Sequence, residues 1–251
     1  MNQPLVVGNW KMNGTLSLAS SLAEAIVQGI TQKTTKAALV LAPPATALAA
    51  VQQRIAKSGI SLAGQNCHWE DNGAFTGEIS PSMLSDLGCT YVIVGHSERR
   101  HIFNESDEIV ARKLAAAIRN NLRPILCVGE TLDQRNAGST MDVIIRQMQL
   151  ALKESNENVI RNIEVAYEPV WAIGTGHNAD PNQIAEVHGA MRNYLTSSFG
   201  KSNFRILYGG SVNPGNANEL GRITEVNGLL VGGASLKSES FLSIIGCFDA
   251  E

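Results

Sequence analysis

The chain has no block of basic residues. Twenty Lys and Arg stand against 23 Asp and Glu, for a net charge of −3, so neither nucleic acid nor an anionic membrane surface is an expected partner. Its four cysteines, Cys67, Cys89, Cys127 and Cys247, form no C-x-x-C pair and no dense framework. That excludes a disulfide scaffold and reads as free thiols in a reducing compartment. No apolar run is long enough to span a bilayer, and the most apolar region, residues 37–51, is broken by Pro43 and Pro44. The opening residues lack the basic start and apolar stretch of a secretory leader, and a cytoplasmic location is expected. His68, His101, His177 and His188 share no spacing with acids or thiols, so no metal site is expected. No linker or low-complexity tract divides the chain, and residues 1–251 are read as a single domain.

Hydrophobic residues make up 44% of the 251, enough for a sizeable core. Short β-rich runs at 5–9, 38–42, 61–65, 91–95, 125–128, 164–167, 205–208 and 228–231 alternate with helical stretches such as 17–30, 45–56, 107–120, 140–154, 182–198 and 239–245. The runs are continuously apolar, as parallel strands covered on the outside should be. Eight such units at roughly 31 residues each predict an α/β fold, a closed (β/α)8 barrel. One connection breaks the rhythm. Residues 66–79 form a loop of about 14 residues, near the upper limit for a structureless connection. It contains Trp69 and Phe75, and we expect it to pack on another subunit.

In such barrels chemistry sits at the C-terminal ends of the strands. There the sequence places Asn9 and Lys11, then His96 and Glu98, then Cys127 and Glu130, then Glu168, then Gly209–Ser211, and finally Gly232 and Gly233. Glycine-rich turns after strands 7 and 8 suit a phosphate, because bare backbone lets N–H groups approach its oxygens. Glu168 is followed by the stiff Pro169, four apolar residues and the flexible Gly174-Thr175-Gly176. This is a carboxylate beside a loop that can close and expel water. His96 could polarise a carbonyl or shuttle a proton, and Lys11 could stabilise negative charge. Two motifs mislead. Gly174 to Ala179 matches G-x-G-x-x-A but follows the strand too late for a dinucleotide fingerprint. Gly200-Lys201-Ser202 lacks the first glycine of a P-loop.

Six segments in order, Gly8–Gly14, Gly73–Ser80, Val94–Arg100, Ala166–Gly176, Tyr208–Ser211 and Leu230–Leu236, closely resemble the triosephosphate isomerase family. The resemblance covers essentially the whole chain. It implies interconversion of dihydroxyacetone phosphate and glyceraldehyde 3-phosphate without metal or organic cofactor. By the family's known pattern, Glu168 would be the base and neutral His96 the electrophile. Asn9 and Lys11 would hold substrate, with Glu98 assisting. Gly174, Ser211, Gly232 and Gly233 would bind phosphate. Pro169, Trp171, Gly174, Thr175 and Gly176 would belong to the lid, latched by Tyr208 and Ser211. A homodimer is implied, with Phe75, Thr76 and Glu78 entering a pocket beside the partner's site and Arg99 meeting Glu78. The chain departs from the family in having His177-Asn178 where lysine commonly follows the glycine hinge. Two rival readings remain on the residues: a phosphate-binding barrel aldolase using Lys11 for a Schiff base, and a non-catalytic sugar-phosphate sensor.

Overall fold

Parallel strands buried on both faces need long apolar runs, and all eight expected runs form them. The computed structural model describes residues 3–32, 35–173, 179–200 and 204–249. Among these, β1 (Leu5–Asn9), β2 (Ala38–Ala42), β3 (Ser61–Gly64), β4 (Cys89–Val94), β5 (Arg123–Val128), β6 (Glu164–Tyr167), β7 (Ile206–Tyr208) and β8 (Gly228–Val231) pair in chain order. Every pairing is parallel, and β8 returns to β1 to close the barrel. Four strands keep their expected bounds. β4 and β5 instead start at Cys89 and Arg123, ahead of the expected 91 and 125. Their leading pairs, Cys89-Thr90 and Arg123-Pro124, carry a polar residue or a proline and so do not read as strand from pattern alone.

Helices α1 (Leu16–Thr31), α2 (Leu48–Ile55), α3 (Pro81–Asp86), α4 (Ser97–His101), α5 (Asp107–Arg119), α6 (Leu132–Asn136), α7 (Thr140–Ala151), α8 (Glu157–Ile160), α9 (Pro181–Phe199), α10 (Ala217–Gly221) and α11 (Ser238–Ile245) surround the strands. Their starts follow local chemistry. Thr15, Ser80 and Ser106 each accept a backbone N–H of the first turn, and Thr131/Gln134 and Asp180/Gln183 form reciprocal capping boxes. Helices α3, α4, α6, α8 and α10 span four to six residues. That is too short to show a helical period, so the sequence pattern does not distinguish them from connections.

The core has two layers. Leu5, Val7, Val40, Ala63, Ile93, Ile125, Cys127, Ala166, Leu207 and Leu230 fill the barrel interior. Their alternating neighbours Val6, Leu39, Leu41, Val92, Leu126, Val165 and Leu229 pack outward against the helices. A period of two thus assigns each strand residue to one layer.

The outer layer contains one wholly buried imidazole. His188, on α9, has Nδ1 3.2 Å from the Glu225 carbonyl oxygen, while its Nε2 has no hydrogen-bond partner among the described residues. Burial is the main reason its pKa falls from 6.5 to about 4, opposed by the Glu225 carbonyl and aided by Arg192. Between those two values the unfolded chain binds a proton that the folded chain excludes, so stability is complete above pH 6.5 and declines as pH falls through the window. The full loss is about 3 kcal/mol. Urea denaturation from pH 7 to pH 4 should show this decline, and His188→Phe should flatten it. An equal slope in the variant would show that the pH dependence arises elsewhere.

Candidate active site

Strand parity builds the mouth of the barrel. Continuing the inward positions by two residues beyond Val7, Ile93, Cys127, Ala166, Leu207 and Leu230 leads to Asn9, Gly95, Gly129, Glu168, Gly209 and Gly232. Four of the six are glycines, so the floor of the bowl carries two side chains at these positions, Asn9 and Glu168. The bareness is required. A Cβ on Gly129 would lie 1.7 Å from the Glu168 carbonyl oxygen, and one on Gly209 would lie 3.1 Å from Glu168 Cγ. The backbone of Glu168 is held by its N–H donating to the Val128 carbonyl at 2.8 Å.

The Glu168 side chain is buried, at 2% exposure, and is surrounded by donors. Its Oε2 accepts the Ser97 backbone N–H at 2.8 Å, and its Oε1 lies 3.0 Å from His96 Nε2. The tautomer of His96 follows from its other nitrogen. Nδ1 accepts the Glu98 backbone N–H at 3.2 Å, capping α4. The ring proton therefore sits on Nε2 and points at Glu168, and the imidazole is neutral. Beneath the carboxylate, the thiol of Cys127 is pushed well above its ordinary pKa, first by complete burial and then by the Glu168 charge. It stays protonated beneath the Glu168 carboxylate.

Lys11 has a left-handed backbone, φ 49°, a conformation that costs a non-glycine residue about 1–3 kcal/mol. Its surroundings hold it there. The Lys11 N–H donates to Asn9 Oδ1 at 3.0 Å, and Gln65 Nε2 donates to the Lys11 and Ala42 carbonyls, each at 2.8 Å. The ammonium pairs with Glu98 Oε1 at 2.6 Å. A cavity of about 310 Å³ joins Asn9, Lys11, His96 and Glu168 to the far wall at Ser211, Gly232 and Gly233. That wall is braced: Asn216 Nδ2 donates to the Ser211 carbonyl at 2.9 Å, and a 3₁₀ turn, Gly233–Leu236, follows β8. The structure thus brings Asn9, Lys11, His96, Glu98, Glu168, Ser211, Gly232 and Gly233 to one bowl.

The first part of the expected lid is anchored by Glu130, a residue that sequence reading placed at a strand end without a role. Its buried Oε1 accepts from Tyr167 Oη (3.2 Å), Trp171 Nε1 (2.9 Å) and Arg135 Nη1 (2.9 Å), and its carbonyl accepts the Val170 N–H at 3.1 Å. Arg135 also lies over the Trp171 ring, 4.8 Å from its centroid. Pro169 precedes a 3₁₀ turn, Val170–Ala172. At the other end, burial pushes the Tyr208 hydroxyl up to about 12, with the Ala179 backbone opposing the shift. Gly174, Thr175, Gly176, His177 and Asn178 lie outside the described residues, as does any contact of Ser211 with them. The only sequence signal for Glu130 was its place at the end of the fifth strand.

Loop 66–79 divides in two. Its base packs at home: Trp69 stacks on His68 at 4.2 Å and lies under Arg112, while Asp71 binds Arg119 and Asn120. Trp69 is thus explained within the chain, without a partner. At its tip Thr76 and Glu78 are exposed, and Phe75 packs on His68 at 4.2 Å yet keeps 41% exposure. Arg99 pairs with Glu105 of its own chain and lies over Phe103. Among the described residues no group of three His, Cys, Asp or Glu could hold a metal.

Fold and site define a closed (β/α)8 barrel whose mouth sets a buried carboxylate against a neutral imidazole donor, beside a glycine-rich wall. A family model described as triosephosphate isomerase matches residues 4–248. Triosephosphate isomerases of Chloroflexus aurantiacus and Aquifex aeolicus are each 48% identical to the chain. The first aligns over 98% of this chain and 99% of its own length, the second over 97% and 99%. The crystal structure of triosephosphate isomerase from Bartonella henselae superposes with a TM-score of 0.90 at 41% identity, covering 99% of this chain and 100% of that one. The chain belongs to the triosephosphate isomerase family and is an isomerase. Neither the aldolase nor the sensor reading finds support in these relatives.

Gly129→Ala tests the packing beneath the base. Displacing the Glu168 backbone by even about 1 Å should lower kcat/KM on the order of 10²-fold. Steady-state kinetics on the folded variant checks it, and parent-like turnover would show that the approach can relax without cost.

Proposed function

We propose that this chain interconverts dihydroxyacetone phosphate and D-glyceraldehyde 3-phosphate through an enediolate, as an intramolecular aldose–ketose isomerase of glycolysis and gluconeogenesis. The observation that carries the reading is the His96–Glu168 contact at 3.0 Å, a neutral donor set against a carboxylate in a buried bowl. A substrate carbonyl oxygen that accepts the His96 Nε2–H takes over the proton now given to Glu168 Oε1. The freed carboxylate oxygen then removes a proton from the carbon beside the carbonyl and returns it to the neighbouring carbon. Negative charge on the enediolate oxygens falls to His96, Asn9 and Lys11. Glu98 holds the Lys11 ammonium in place through its 2.6 Å pair. Ser211, Gly232 and Gly233, with Gly174 of the lid, take the phosphate. The segment from Pro169 to Ala179 closes over it, with Trp171, Thr175 and Gly176 in the moving loop and Tyr208 and Ser211 as its latch. No organic cofactor or metal enters these steps.

The working unit we infer is a homodimer of single-domain chains in the cytoplasm. Its support is a knob and a socket on the same surface. Phe75, Thr76 and Glu78 project from loop 66–79. A second cavity, of about 360 Å³, opens beside Asn9 and Lys11 and is lined in part by Met12, Gln65, Glu98 and Phe103. Met12 (94% exposed), Ile102 and Phe103 leave apolar area uncovered around it. A two-fold pairing would bury both knobs at once, and Arg99, at the socket, would meet the partner's tip near Glu78. Among the described residues no helix is long and apolar enough to cross a membrane.

Glu168→Asp withdraws the carboxylate by about 1 Å and should cost on the order of 10²-fold in kcat in a coupled isomerisation assay. Near-parental turnover would remove Glu168 as the base. Sedimentation at micromolar concentration should give twice the chain mass, and Phe75→Asp with Thr76→Asp should halve it and lower activity. A fully active monomer would contradict the role given to the loop.

A further inference from the structure

We propose that Arg100 is a positioning residue for the proton-moving pair, gripping the peptide groups on both sides of His96 and tying them to the end of β5. The inference rests on the reading of His96 and Glu168 as electrophile and base. Arg100 is carried by α4, and its side chain is 7% exposed. Its guanidinium makes three contacts. Nε donates to the Gly95 carbonyl at 2.8 Å, Nη2 to the Cys127 carbonyl at 3.2 Å, and Nη1 to Asp107 Oδ1 at 2.6 Å. The Arg100 backbone N–H donates to the His96 carbonyl at 3.0 Å. The peptide entering His96 is therefore held by the Arg100 side chain, and the peptide leaving it by the Arg100 main chain.

Both ends of this grip reach the carboxylate. The peptide that leaves His96 presents its carbonyl to Arg100 and its N–H, that of Ser97, to Glu168 Oε2 at 2.8 Å. On the β5 side, Cys127 is followed by Val128, whose carbonyl takes the Glu168 N–H, and by Gly129, which packs against the Glu168 backbone. One planar group thus spans the strand that leads to His96 and the strand that braces Glu168. The β4–β5 register ends at Val94 and Leu126. Just beyond it, the guanidinium gives a donor to each of the next carbonyls, Gly95 and Cys127, as buried backbone acceptors require. Gly95 leaves the space for it, since a Cβ there would lie 2.9 Å from Arg100 Nη2. A simple ion pair with Asp107 would not need Nε and Nη2 turned inward onto two carbonyls. Lysine could keep that pair, but its ammonium lacks the rigid fork that reaches all three acceptors.

The full-length protein would be compared as parent, Arg100→Lys, Arg100→Met and Asp107→Asn, with a thermal midpoint recorded for each. The His96 Nε2–H signal reports the bond to Glu168. It is read by NMR of histidine-labelled protein without substrate and assigned by its loss in His96→Gln. A loss of global stability does not move this signal in molecules that remain folded. We expect it to shift or to exchange with solvent in both Arg100 variants, and to stay in place in Asp107→Asn, which keeps both carbonyl bonds. In the isomerisation assay, Arg100→Lys should lower kcat about tenfold and Arg100→Met on the order of 10²-fold. KM should stay within about twofold, because the wall at Ser211, Gly232 and Gly233 is untouched. Asp107→Asn should keep kcat within about twofold at a lower thermal midpoint. Should Arg100→Met not fold, Arg100→Lys, which keeps a charge beside Asp107, carries the test. Folded Arg100 variants with the parent's signal and kcat would overturn the proposal. An Asp107→Asn loss as large as that of Arg100→Lys would overturn it too, because the ion pair and not the carbonyl grip would then be what counts. A parent that fails to isomerise triose phosphates would instead sink the proposed function, while the substrate-free signal would still decide whether Arg100 holds His96 against Glu168.

Discussion

The end of β5 passes so close to the end of β6 that only a glycine fits between them. With a methyl group at Gly129 lying 1.7 Å from the Glu168 carbonyl oxygen, the two strands could not keep this spacing. The ladder continues past the strands on either side: Glu168 N–H to the Val128 carbonyl and Gly209 N–H to the Tyr167 carbonyl, each at 2.8 Å. Glu168 is thus fixed by sheet hydrogen bonds on both flanks, although it belongs to a connection. A carboxylate on freely moving loop backbone could not be held to the tolerance that proton transfer to carbon needs. The glycines of the bowl give this residue both its position and the room to use it.

Around that point, the side chains of Glu168, His96 and Lys11 each find a partner. Glu168 takes a backbone N–H and an imidazole N–H. His96 is held in one tautomer by the first turn of α4. Lys11 keeps a strained backbone because Asn9 and Gln65 bind its peptide groups. Local stability is given up at Lys11 and restored by its neighbours, which is the usual relation between a functional site and its scaffold.

The long third loop shows two demands on one segment. Its base is a folded part of the barrel wall, with Trp69 held between His68 and Arg112 and Asp71 clamped by α5. Its tip is less covered: Phe75 rests one side on His68, 4.2 Å away, and stays 41% exposed. A rigid base under a less covered tip lowers the entropy lost when the tip is docked. The aromatic content that first drew notice to the loop therefore has two separate explanations.

Eight continuous apolar runs at an even spacing were enough to define the barrel, because parallel strands buried on both faces impose that pattern and little else does. The strand ends then brought Asn9, Lys11, His96 and Glu168 into question as a group, since closure must gather all C-terminal ends at one mouth. The short helices α3, α4, α6, α8 and α10 were not legible, as a single turn shows no period. Nor was Glu130, whose role exists only because β5, β6 and the lid converge on one carboxylate. Nothing in the spacing of His188 marks it as buried, yet it is wholly so, because the face that a helix turns inward is chosen by the barrel it packs against. The sequence by itself determined the order of elements, the parity of each strand and the chemistry available at the mouth, all of which depend on local pattern. Which nitrogen of His96 carries the proton and why Gly129 must be bare were decided by tertiary structure alone, because each depends on distances between segments far apart in the chain.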